Sequence, residues 1–280
     1  MNTLINISGK IDKHSITIYE AVADSANKLN ISYMVVGASA RDLVLYHGYG
    51  AKIKRATADI DFGIQVQSWS DFDALKRTLI ERDFKESKEQ HRLYSPGGMH
   101  VDLVPFGAIT NGEGNIGWPP DGDIVMNVTG FQEVFDNAHD VRIRDNPVLD
   151  IPVATLPGLS ILKLLSWQER DRDLKRRDAL DLIYLLKNYE VIPVVMEQMY
   201  EFPDMMQDYD GDVSLSGAHV LGRHAREIAG DDTAARIIDG YRDEELCARL
   251  VEGMCRDIES EFGRNRDLFM AWMNGFTSTE

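Results

Sequence analysis

ADIDFGIQVQ, residues 58–67, is the stretch on which the fold turns. Ile60, Phe62, Ile64 and Val66 alternate with Asp59, Asp61, Gly63 and Gln65, the period of two that marks a strand with one face in a core. That alternation places Asp59 and Asp61 on one face and Ile60 on the other. Two same-face carboxylates repel each other, and burial makes each charge costly. A divalent cation relieves both penalties. A site of few protein oxygens suits Mg²⁺, which completes its shell with substrate phosphates. A solvent-facing edge strand would also explain an Asp-x-Asp triplet, so the triplet alone leaves both readings open.

Upstream, residues 12–30 carry apolar residues at helical spacing, and ISYMVVG (31–37) reads as a buried strand halted at Gly37. Ala38 to Leu43 opens a helix that Gly48-Tyr49-Gly50 closes. Small residues between a strand and a helix let backbone N–H groups approach phosphate oxygens. Gly37 and Ser39 are therefore nucleotide-binding candidates, joined by Arg41 on the same helix. A tight turn with Ser39 as N-cap is the plainer reading of the same residues.

Downstream, Asp71 to Arg82 reads as a helix with Phe72, Leu75 and Leu79 on one face, and Arg92–Ser95 with Met99–Phe106 as a hairpin around Pro96-Gly97-Gly98. Its second strand contains His100-Val101-Asp102-Leu103-Val104. Aspartate is depleted in strands, so Asp102 asks for a reason. If this strand lies beside the first, Asp102 completes a three-carboxylate cluster that can bind metal and assist deprotonation of an attacking hydroxyl. Pairing with a neighbouring base is the alternative. Residues 107–122 form a Gly/Pro-rich loop, after which IVMNV, EVF and VRIR read as short strands.

From Leu156 the pattern turns helical, over 156–170 and 173–188 and through most of the remainder. Pro152 and Pro157 mark the change, which divides the chain into an α/β domain, 1–152, and a helical domain, 153–280. Lys163 stands on a helix whose apolar face holds Leu159, Leu162 and Leu165. Asp178 and Asp181, at i and i+3, share a face of the next helix. A lysine beside carboxylates can neutralise triphosphate charge in a transition state. A solvated face laced with ion pairs, from Arg170 to Arg177, is the competing explanation.

The net charge is −16, of which residues 191–280 carry −11 (19 acids against 8 bases). Nucleic acid cannot be held by a general basic surface on such a chain, only by a local patch such as Lys163, Arg170, Arg172, Lys175, Arg176 and Arg177. The two cysteines, Cys247 and Cys255, fit neither a zinc site nor a disulfide scaffold, which points to a reducing cytoplasm. No apolar run is long enough for a membrane span, and the N-terminus lacks an apolar signal core, so the chain is expected to be mature as written.

In order, Gly37-Ala38-Ser39 after a strand, Asp59-x-Asp61 in a strand and Asp102 in a later strand resemble the DNA polymerase β nucleotidyltransferase superfamily. Lys163 followed by Arg177-Asp178-x-x-Asp181 resembles the added motif of its AbiEii and MenT branch of abortive-infection and toxin–antitoxin proteins. The resemblance spans roughly residues 31–190. It implies an α+β fold, with a small mixed sheet flanked by helices and then a helical domain completing an active-site cleft. It further implies a Mg²⁺-dependent nucleotidyltransferase moving an NMP group from an NTP to an acceptor hydroxyl. Asp59, Asp61 and Asp102 would bind metal, with Asp102 also as base. Gly37, Ser39 and Lys163 would meet the triphosphate, and Asp178 and Asp181 match the branch's essential acidic pair. The implied partners are an RNA or tRNA 3′ end and a cognate antitoxin. Where the superfamily often has Gly-Ser or Gly-Gly, this chain has Gly37-Ala38-Ser39. Two other functions share parts of the pattern: a nucleotidyltransferase for small cationic molecules of the aminoglycoside kind, and a non-catalytic binding protein. The acidic C-terminal stretch favours the first of these; retention of three aspartates and Lys163 argues against the second.

Overall fold

The computed structural model describes residues 4–52, 59–170, 172–201 and 203–278, in two compact units, Met1–Thr155 and Leu156–Glu280. Ala58, at the head of the quoted strand, lies outside the described residues.

In the first unit the chain runs through β1 (Ile5–Asn6), α1 (Lys13–Leu29), β2 (Ser32–Val36) and α2 (Gly37–Arg41), which passes into a π-helical stretch, Asp42–Gly48. There follow β3 (Asp59–Val66), α3 (Trp69–Ile80), β4 (Lys85–Glu86), β5 (Arg92–Tyr94), β6 (His100–Gly107), β7 (Asn115–Gly117), β8 (Val125–Asn127), α4 (Phe131–Asp136), β9 (His139–Asp145) and β10 (Val148–Val153). Eight strands make one mixed sheet in the order β1-β9-β10-β2-β3-β6-β5-β4, while β7 and β8 pair separately. The mixed sheet expected from the sequence is present and is broader than a small one.

Local chemistry sets the boundaries. Asp12 caps α1 by accepting from the Ser15 N–H, and Asn30 ends it in the left-handed region. Ser68 and Asp71 form a reciprocal capping box on α3. Alternate residues of β3 are buried, with Ile60, Phe62, Ile64 and Val66 all at most 3% exposed. EVF, expected as a strand, lies in helix α4 instead. Phe131 and Phe135, four apart, both pack on Phe106 at 5.7 Å between ring centroids, and Gly130 in the left-handed region turns the chain into the helix. The apolar period here is helical, which three residues alone could not display. Strand β10 reaches through Pro152: it returns antiparallel on β9 and lies parallel to β2, with Val153 opposite Val35.

The second unit is helical: α5 (Leu156–Glu169), α6 (Arg172–Leu186), α7 (Pro193–Glu201), α8 (Pro203–Asp208), α9 (Val213–Ile228), α10 (Asp231–Gly240), α11 (Glu244–Met254) and α12 (Ile258–Thr277). Its core includes Leu159, Leu164, Leu182, Leu221, Phe269 and Trp272. Among the described residues, no helix is long and apolar enough to cross a membrane.

Candidate active site

The first candidate site stands on the face of three neighbouring strands. Strand β3 runs parallel to β6 with Asp61 opposite Asp102 and Asp59 opposite His100. Side chains opposite one another across a ladder project to the same face. Asp59, Asp61 and Asp102 accordingly offer carboxylate oxygens that all lie within 4.8 Å of one another. Hard oxygen donors converging from a rigid sheet are the ligand set that Mg²⁺ or Mn²⁺ takes, so the three aspartates fit a divalent cation.

On its other side β3 pairs with antiparallel β2, Asp61 opposite Val36. The next residue, Gly37, has φ +70°, and a Cβ there would overlap the Asp61 carboxylate. Two independent constraints, backbone conformation and space, therefore require glycine at this point. Ser39 is not the N-cap. The helix is capped by Val36 without a side-chain bond, and the Ser39 hydroxyl, buried in the first turn, donates to the Val36 carbonyl at 3.1 Å. Burial pushes the nearby Tyr19 phenol up. Arg41 is buried too, and its Nε and Nη2 donate to Asp42 at 2.8 and 2.7 Å.

Arg92 is the charged residue that reading the motifs missed. From β5 it donates to both oxygens of Asp102, Nε to Oδ1 at 2.6 Å and Nη2 to Oδ2 at 2.7 Å. The hydrogen bonds to Asp102 hold the guanidinium more firmly protonated than usual. Asp102 is thus both a member of the carboxylate cluster and the partner of a base. The signal was in the sequence. With the turn centred on Gly97, Ser95 meets Met99, and counting back pairs Tyr94 with His100, Leu93 with Val101 and Arg92 with Asp102.

The second unit holds the other predicted group. Helix α5 is buried nearly all round, and Lys163 is the single cation within it. Its Nζ donates to Asp178 Oδ1 at 2.8 Å and to Asp181 Oδ2 at 2.9 Å. Arg170 Nη1 adds a second cation on Asp178 at 3.0 Å. Burial alone would lower the Lys163 pKa, yet the two carboxylates outweigh it and hold the ammonium charged well above its ordinary value. Lys175 sits over the Trp167 ring at 4.9 Å, and Arg176 and Arg177 are exposed.

A family model described as “Nucleotidyl transferase AbiEii toxin, Type IV TA system” matches residues 22–240. No curated protein matches the chain. Among solved structures, the chain is similar to the antibiotic-resistance factor ANT(2'')-Ia at 10% identity, over 71% of this chain and 100% of that one, with a TM-score of 0.35. It is similar to the Thermotoga maritima CCA-adding enzyme complexed with tRNA_CCA at 11% identity, over 96% of this chain and 80% of that one, with a TM-score of 0.30.

Proposed function

Because the chain belongs to the AbiEii nucleotidyl transferase toxin family of type IV toxin–antitoxin systems, we propose that it transfers an NMP group from an NTP to an RNA or tRNA 3′ hydroxyl, with Asp59, Asp61 and Asp102 as its metal-binding carboxylates. The observation that carries this reading is the convergence of those three side chains within 4.8 Å on one face of a sheet. Mg²⁺, when bound, would supply charge neutralisation at the phosphates and lower the pKa of the attacking hydroxyl.

The chain's own residues do the remainder. The acceptor oxygen attacks the α-phosphorus, the bond to the β-phosphate oxygen breaks, and pyrophosphate leaves with its electrons. Asp102 takes the hydroxyl proton as the general base of the step. The turn at Gly37 admits phosphate close to the first N–H groups of α2, because no side chain stands there; Ser39 and Arg41 shape that turn. In the second unit, the Lys163 ammonium is bonded to Asp178 and Asp181. The two aspartates hold it charged and oriented. The reaction belongs in the cytoplasm, where NTP and RNA are both found, and a cognate antitoxin is the natural partner of such a toxin.

The test is incubation with each α-labelled NTP, Mg²⁺ and total RNA. Label on RNA 3′ ends supports the reading. The −11 charge of residues 191–280 favours one competing acceptor, a small cationic molecule; label on an added aminoglycoside, with RNA left unlabelled, would transfer the assignment to it. For an RNA acceptor, Arg176→Glu with Arg177→Glu should depress labelling without changing NTP affinity, and labelling should fall only modestly with salt, since each phosphate contact adds about one unit to the log–log slope.

A further inference from the structure

Among the described residues, the face that carries Asp59, Asp61 and Asp102 also holds Arg92, and His91 Nε2 stands 4.0 Å from Asp102 Oδ2. Arg92 and Asp102 lie directly opposite across β5 and β6, so their pairing is imposed by the hairpin register and not by chance rotamers. The guanidinium occupies both Asp102 oxygens. The pair cannot be dissolved by loss of a proton, because arginine remains charged at any working pH. It can only be exchanged by movement of the side chain. That movement is permitted: Arg92 is 24% exposed, on a three-residue strand flanked by the two-residue edge strand β4, whereas Asp102 is 11% exposed between two ladders.

Electrostatics gives the consequence. With Arg92 in place the three carboxylates and the guanidinium sum to −2; without it the face carries −3. We propose that Arg92 is a positioning residue that serves as a tethered cation: it holds Asp102 in the nucleotide-free protein and yields one of its oxygens only when a divalent cation arrives with the nucleotide. Metal loading is thereby made dependent on substrate. This rests on the reading of Asp59, Asp61 and Asp102 as metal ligands.

The experiment measures Mn²⁺ binding to the full chain by the paramagnetic resonance signal of free Mn²⁺, with and without a non-hydrolysable NTP analogue. Wild type, Arg92→Gln, Arg92→Lys and Asp59→Asn are compared. Removing one unit charge a few ångströms from a divalent ion is worth at least about a tenfold change at the edge of a protein. Without nucleotide, Arg92→Gln should therefore bind Mn²⁺ at least about tenfold more tightly than wild type. Arg92→Lys keeps the charge but not the two-pronged contact, and should fall between them. With the analogue present the differences should shrink. Mn²⁺ affinity in Arg92→Gln equal to or below wild type would overturn the proposal. If Arg92→Gln does not fold, Arg92→Lys decides alone, and an unchanged affinity overturns it. Failure of Asp59→Asn to weaken Mn²⁺ in any background would instead remove the metal-site reading itself.

Discussion

Replacing Lys163 by methionine separates what the ion cluster does for stability from what it does for chemistry. The ammonium lies between Asp178, 1% exposed, and Asp181, 4% exposed, at 2.8 and 2.9 Å. Methionine fills a similar volume but leaves two buried carboxylates short of a cation. Arg170 still reaches Asp178. Breaking a buried pair from one side costs about 3–5 kcal/mol. For a helical unit of this size, roughly 3–5 °C of melting temperature accompanies each kcal/mol, and the expected fall is on the order of 10–20 °C by calorimetry. The companion variant adds Asp178→Asn and Asp181→Asn. With the buried charges gone, the principal penalty goes too, and the triple variant should recover at least half of the loss while remaining inactive in nucleotide transfer. A single variant that melts within about 3 °C of wild type, or a triple variant less stable than the single, would refute the reasoning.

Other outcomes follow from the first unit and from the histidines. Gly37→Ala must place a side chain at φ +70°, costing about 1–2 kcal/mol, and must push the Asp61 carboxylate aside. Transfer activity should fall far more than the melting temperature, and near-normal turnover would contradict the close approach. Asp59→Asn relieves like-charge repulsion, so it should abolish transfer without lowering the melting temperature; activity close to wild type in Mg²⁺ would sink the carboxylate cluster as the catalytic centre. His219 and His224 have pKa values lowered by burial. The unfolded chain then takes up protons that the folded one refuses. Their stabilisation is complete above about pH 6.5 and is lost as pH falls below it. Urea titrations at pH 7.5 and 5.5 should show this loss in wild type and a flatter dependence in His219→Gln/His224→Gln. The raised pKa of Glu190 acts in the opposite sense but is common to both proteins.

How much of this was legible beforehand depended on how far each pattern extends. The strand at residues 59–66 and helices such as Lys13–Leu29 announce themselves because their period repeats over several turns or alternations. Residues 133–135 lie in a helix, but three residues cannot distinguish a period of two from one of 3.6. The partners of Asp61 and Asp102 needed the sheet order, which sequence periodicity does not encode. Arg92 is a different kind of omission: the hairpin turn fixed its position opposite Asp102, and only the count along the ladder was lacking. The π-helical stretch Asp42–Gly48 left no trace in composition, since its residues suit an ordinary helix as well.

Strand β3 lies in the interior of the eight-stranded sheet, hydrogen-bonded to β2 on one side and β6 on the other, whereas the two edges are formed by strands of only two residues. Fraying begins at the edges, where few contacts must break, and reaches the interior last. The amides of Ile60 to Ile64 should thus be among the slowest in the unit to exchange with solvent. A chain heated or stressed until its margins open will still present its carboxylates in register, and a protease or chaperone that depends on early opening will meet β4 and β1 long before it disarms the enzyme.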